Sequence, residues 1–334
     1  MRFGKHAFVT AGIFCITLHG LAQQPATPTW GTLRMPGASD STAAYIVSTW
    51  QIYSEGLDTM PQMNYWRRVI TLSPDSGLIS VGSTRQMVCT VNCDSWNRQS
   101  DEIKEVYRDS VRKTLALPDS ERVLFTTGKG DFYNIPSTLP DISKAVPIFE
   151  KENVDPFYAQ AILLIESPGK IRKSNVGAYG SFQLMRGVAI KMGLKVNKYV
   201  DERKDFEKSA WAAAKLIRTV CIPHANAMLE KRGIAYKQTD LWYRLLVLHI
   251  YHAGAGNVEK ALQAFEPCEG DIAIIKQLWK TKAGAFGNAS QNYSQVALAS
   301  LLEMDEYLKI RGASEETPPN PGENTPETPE KSDK

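Results

Sequence analysis

Apolar residues are irregularly spaced over the first third of the chain and dense, with helical spacing, over most of the remainder. From about residue 131 several segments carry their own start signals. Asp155 and Pro156 place a capping carboxylate and a first-turn proline ahead of FYAQAILLIES. That stretch is too apolar for a helix with a wet face. It predicts a buried helix stopped at Glu166 by Ser167, Pro168 and Gly169. Asp205 precedes FEKSAWAAAKLIRTV, Asp240 precedes LWYRLLVLHIYH, Asn257 precedes VEKALQAF and Asp271 precedes IAIIKQLWK. A last helical segment reads QNYSQVALASLLEMDEYLKI. Five or more helices, joined partly by glycine-rich loops, predict a mainly α-helical body over residues 138–312.

Upstream the pattern is mixed. Residues 41–55 and 101–117 have helical spacing, whereas residues 77–91 hold the short β-branched runs of strands. Residues 23–137 are therefore expected to form a smaller mixed α/β region that caps or wraps the helical body. After residue 312 the chain turns rich in Pro, Glu and Thr, with almost nothing to bury, so residues 313–334 read as a disordered tail. At the other end, Arg2, Lys5 and His6 precede an apolar run over residues 8–18, followed by the small residues Gly20 and Ala22. This is the pattern of a signal peptide over residues 1–22. The run is shorter than the roughly 20 residues that span a bilayer, which predicts an exported chain, periplasmic or secreted, with no stable membrane span after cleavage.

Charge and cysteine content narrow the partners. The 334 residues carry 39 basic and 36 acidic side chains. The tail is acidic, so residues 23–312 hold a small positive excess, suited to a polyanionic surface such as cell-wall polymer. No dense Lys/Arg stripe points to nucleic acid. Loss of Cys15 with the leader leaves Cys89, Cys93, Cys221 and Cys268, an even number in an oxidising compartment. The pairs Cys89–Cys93 and Cys221–Cys268 are the expected disulfides, although four cysteines allow three pairings. A metal site is not expected. Cys89 and Cys93 lack a second cysteine pair, and His249 and His252 have no evident third ligand.

Glu166 stands out because it joins a very apolar helix to a loop. A carboxyl group there is costly to ionise, so it should hold its proton near neutral pH as a general acid must. Four ordered blocks surround it: AILLIES, VGAYGSFQLM, VDERKDFEKSAWAAAKLI and HIYHAGAGNVEKAL. Together, over about residues 140–310, they resemble the soluble lytic transglycosylase family (glycoside hydrolase family 23-like). The branch they resemble most is the membrane-bound lytic murein transglycosylase D type. The resemblance implies a lysozyme-like helical domain and, without a cofactor, cleavage of the β-1,4 bond between N-acetylmuramic acid and N-acetylglucosamine in peptidoglycan glycan strands. It implies Glu166 as the catalytic residue and Ser167, Gln183, Tyr251 and Tyr293 as cleft residues, with Gly177 and Gly180 shaping the loop before Gln183. Two features depart from the family pattern. His252 stands where Asn is usual, and in the Gln motif Ser181 and Phe182 replace the common bulky pair while Arg186 stands where Pro often follows; both His252 and Phe182 are taken as substrate-binding candidates.

Between Glu166 and Gln183 the chain has no Asp or Glu. Ordinary glycosidases need two carboxylates across the scissile bond. The nearest others in sequence, Asp201, Glu202 and Asp205, read as helix-opening and ion-pairing residues. A single carboxylate acting as acid and then base fits the family's non-hydrolytic course, which ends in a 1,6-anhydromuramoyl product. Two alternatives remain: a goose-type-like muramidase with a second, water-activating carboxylate, and a non-catalytic glycan-binding scaffold.

Overall fold

The computed structural model describes residues 32–34, 45–47, 49–168 and 173–315. The leader over residues 1–22, with Cys15, and the tail beyond residue 315 lie outside the described residues. The order of elements is β1 (Thr32–Arg34), β2 (Tyr45–Val47), α1 (Trp50–Ser54), α2 (Pro61–Thr71), β3 (Ser76–Val81), β4 (Met87–Asn92), α3 (Cys93–Asn97), α4 (Asp101–Thr114) and β5 (Val123–Thr127). The helical body follows as α5 (Ile135–Lys151), α6 (Phe157–Glu166), α7 (Arg186–Met192), α8 (Phe206–Leu216), α9 (Ile222–Glu230), α10 (Leu241–Ala253), α11 (Ala255–Gln263), α12 (Ile272–Leu278) and α13 (Asn288–Glu315). The fold is mainly α, a helical body with small sheets at its N-terminal side.

Two helices have no wet face. In α6 every residue from Phe157 to Leu164 is buried, and in α10 every residue from Leu241 to Ile250. They form the centre of the main core, wrapped by α5, α8, α9 and the N-terminal half of α13. Asp155 sits one position earlier than a simple cap, with Pro156 at the cap itself, and its Oδ1 accepts the Phe157 amide at 2.9 Å. Its other oxygen meets Arg244 of α10 at 2.5 to 2.7 Å, a buried ion pair that locks α6 to α10. Asp205 and Asp271 cap α8 and α12 as expected. Helix α11 begins at Ala255, two residues before Asn257, whose side chain instead bonds back to the Ala253 carbonyl. The α8 run widens into a π-helical turn, Ile217–Cys221, before entering α9 at Pro223. The wider turn accommodates a proline that cannot donate to the preceding turn.

The expectation of a helix over residues 41–55 is corrected. Tyr45–Val47 is extended and pairs with β1, and among the described residues of this stretch only Trp50–Ser54 is helical. The β-branched Ile46 and Val47 favour extension. The strands foreseen over residues 77–91 are β3 and β4, which with β5 form an antiparallel sheet of order β4-β3-β5. Alternation along β3 sends Leu78 to a core shared with α2 and α13, and Ile79 to a second core with Trp96, Val111 and Val123. The sheet is thus held between α3 and α4 on one face and α2 and α13 on the other. The N-terminal residues Ile52, Leu57 and Met63 join the main core directly.

None of the expected disulfides is formed; Cys89, Cys93, Cys221 and Cys268 are all free. Cys221 is buried in the main core, whereas Cys268 lies exposed in the loop after α11. Cys89 contacts the Tyr107 hydroxyl at 3.1 Å, and Cys93 turns inward at the start of α3.

The ion pair between Asp155 and Arg244 gives a stability test. Arg244→Met leaves a buried carboxylate without its partner, and should cost about 3–5 kcal/mol. Measured as the urea midpoint, that loss should shrink in the double variant Asp155→Asn/Arg244→Met, which retains a side-chain acceptor for the Phe157 amide.

Candidate active site

Glu166 is the last residue of α6, and one Oε accepts a hydrogen bond from the Tyr293 hydroxyl at 2.9 Å. The residue is partly accessible, yet apolar packing surrounds it. Burial pushes its pKa up to about 7, against the opposing pull of the Tyr293 donor. The sequence expectation of a proton-holding carboxyl group is therefore met in both direction and cause. Its other oxygen has no hydrogen-bond partner among the described residues.

Three tyrosines face this carboxyl group. Tyr293 comes from α13, Tyr251 from the end of α10, and Tyr133 from the loop before α5. Burial raises all three phenols and the Glu166 charge raises them further, so they remain hydroxyl donors. Tyr251 spends its proton on the Phe182 carbonyl at 2.6 Å. Tyr133 was not foreseen from sequence. Its neighbour Asn134 donates its amide to the Pro168 carbonyl at 3.1 Å, which ties this loop to the end of α6. No local pattern announces such a long-range contact.

His252 stacks on Tyr293, with ring centroids 4.2 Å apart and planes 21° from parallel. The surrounding protein lowers its pKa to about 4, so the ring is neutral at physiological pH while keeping an accessible face. A neutral imidazole has one donor and one acceptor, the same pairing that an Asn side chain offers. His249, one turn earlier, is fully buried and bonds Ser294 at 2.9 Å, which in turn accepts the Trp279 indole N–H at 2.8 Å. The two histidines thus serve different surroundings.

The loop from residue 173 to 185 forms the opposite side of the site. Gly177 and Gly180 take φ of +89° and +84°. At Gly180 a Cβ would lie 1.9 Å from the Arg203 carbonyl oxygen, so only glycine fits there. Gln183 has φ of +44°, unusual for a residue with a side chain, and its amide nitrogen donates to the Gly180 carbonyl at 2.9 Å. The Arg203 guanidinium braces the loop by donating to the Gly177 and Leu184 carbonyls at 2.9 and 3.0 Å. Asp201 holds that guanidinium at 2.7 Å, Glu202 pairs with Lys208, and Asp205 caps α8. The three carboxylates next in sequence thus have structural partners, as the ion-pair reading expected.

Two expectations are corrected. Phe182 is fully buried, stacked 5.7 Å from Phe149, so its ring cannot meet a sugar. Its contribution is the carbonyl that receives Tyr251. Ser167 is also buried, and its hydroxyl donates to the Ser181 carbonyl at 2.9 Å, stitching the loop to the end of α6. The groups that keep an accessible face are Glu166, Gln183, Tyr251 and His252, while Tyr293 lies behind them.

No curated protein matches the chain. Residues 148–270 match the family model described as the transglycosylase SLT domain. The match runs from the end of α5 past α11, taking in Glu166, the loop around Gln183, Tyr251 and His252, and leaving Tyr133 and Tyr293 outside. The part of the helical body built on α6 and α10, residues 148–270, is therefore similar to the transglycosylase SLT domain, a lysozyme-like helical domain of peptidoglycan lytic transglycosylases.

Proposed function

We propose that the chain cleaves the β-1,4 bond between N-acetylmuramic acid and N-acetylglucosamine and leaves 1,6-anhydromuramoyl ends, with Glu166 as sole acid and base. The observation that carries this reading is a carboxyl group raised to about 7 by burial and set among tyrosine hydroxyls, with no second carboxylate acting on it among the described residues. Cleavage begins as the protonated Glu166 gives its proton to the glycosidic oxygen, which leaves with the electrons of the C1–O bond. The 2-acetamido group of the sugar stabilises the developing positive charge at C1. The Glu166 carboxylate then removes the proton of the muramoyl C6 hydroxyl as O6 bonds to C1. Glu166 ends protonated, and no water is consumed.

The supporting residues have separable parts. Tyr293 occupies one Glu166 oxygen, leaving the other for the proton in transit. Tyr251, by holding the Phe182 carbonyl, keeps the Gln183 loop at its distance from Glu166. In this reading His252 and Gln183 hydrogen-bond the sugar substituents. Such an enzyme works on the cell wall, in keeping with the expected export. Among the described residues, no helix is long and apolar enough to cross a membrane.

Mass spectrometry of digested peptidoglycan tests this reading. Wild-type products should carry anhydro ends, and Glu166→Gln should lower turnover by about 10²–10⁴-fold. Reducing muramic ends would instead assign a muramidase, and glycan binding without turnover would assign a scaffold. The pH profile follows from the raised pKa. Protonation is needed for the first step, so kcat/KM should be flat below about pH 7 and fall tenfold per pH unit above it. Tyr293→Phe removes the bond that favours the charged form, and should move that falling limb to higher pH. Gly180→Ala must push the loop away from Arg203. Turnover should fall about 10²-fold with helix content retained by circular dichroism.

A further inference from the structure

A cleft of about 730 Å³ opens between the β3–β4 turn, the start of β5, and helices α12 and α13. Four cations line it: Arg85, Arg122, Lys276 and Lys280. None of them makes an ion pair among the described residues. The one lining carboxylate, Glu121, is already engaged by the Ser83 amide and hydroxyl and by the Arg122 amide. Arg85 is fixed in place: its guanidinium lies over the Tyr65 and Trp66 rings, 5.0 and 5.8 Å from their centroids, and donates to Asn292 at 2.9 Å. Burial, and the repulsion of nearby Arg122, lower its pKa. Unpaired cations converging on a half-enclosed cleft form an unmet demand for anions. Guanidinium forks in particular fit carboxylates.

We propose that this cleft is a subsite for a short, carboxylate-bearing peptide, the peptide stem of peptidoglycan, an assignment that rests on the substrate class proposed above. Every residue lining it lies outside residues 148–270, so it is an addition to the matched domain. Gln291, Asn292 and Gln295 line the wall beside the cations, their side-chain amides held by bonds to Thr281, to Arg85 and Asn288, and to Trp66 and the Gln291 carbonyl. The position also suits a substrate held at Glu166. Asn292 and Tyr293 are consecutive on α13, one facing the cleft and the other Glu166. A four-residue peptide extends to about 13 Å. That exceeds the roughly 10 Å thickness of a helix, so a stem attached to a glycan can pass from one face of α13 to the next.

Calorimetric titration of the full chain with a synthetic stem tetrapeptide, beside the same peptide with its carboxylates amidated, tests the assignment without any glycan. The free acid should bind at least tenfold more tightly than the amide. Arg122→Glu and Lys280→Glu change exposed residues and should each weaken the free acid at least tenfold, with folding checked by an unchanged urea midpoint. Equal affinity for acid and amide, no binding of either, or binding indifferent to both variants overturns the assignment. Because the probe contains no glycosidic bond, peptide binding by a chain that leaves no anhydro ends sinks the proposed reaction and leaves the subsite standing.

Discussion

The site depends on one constraint: α6 is buried on every side and still ends in a carboxyl group. The helix has no wet face to which Glu166 could turn, because its residues pack between α5, α10 and α13. Burial therefore acts on the carboxyl group directly and holds its proton to about pH 7. A helix C-terminus supplies carbonyl oxygens, not amide donors, so it does nothing to relieve the charge of a carboxylate there. The buried pair of Asp155 and Arg244 at the other end of α6 fixes the position of the whole rod.

Around that fixed point the remaining groups are set by bonds to backbone carbonyls. Ser167 reaches Ser181, Tyr251 reaches Phe182, and Arg203 reaches Gly177 and Leu184. Each ties the glycine-bearing loop to a rigid element, so the cleft wall is held by the fold and not by substrate. Gly177 and Gly180 take the left-handed backbone without cost, which lets the loop pass close to Arg203, and Gln183, with a side chain at φ of +44°, is the strained position.

Much of this was legible in the sequence, for a local reason. The apolar density of FYAQAILLIE, the Asp155 cap and the stop at Ser167 and Pro168 are all written within about fifteen residues, and so the helix and its terminal Glu166 could be read. The Asp201 to Asp205 segment was equally plain, since an ion pair two residues apart is a local event. What failed was long-range or depended on depth. Nothing in the sequence places Tyr133 beside a residue 33 positions away. Phe182 and Ser167 lie next to accessible residues but point inward, and chain position alone does not separate the two directions. The even cysteine count suggested pairs, yet Cys221 lies within the core and Cys268 at the surface. Residues 41–55 misled because a short helix beside a strand imitates helical spacing. The basic cleft needed the fold itself, as its cations come from segments some 150 residues apart.

The central claim is that packing around the end of α6 keeps Glu166 protonated near neutral pH. An infrared titration of the wild-type protein, taken as a difference against Glu166→Gln, reads that proton directly through its carboxylic C=O band. A band that persists at pH 6 and disappears with a midpoint near 7 is the predicted result. A midpoint between 4 and 5, the ordinary range of a solvated glutamate, would contradict the account.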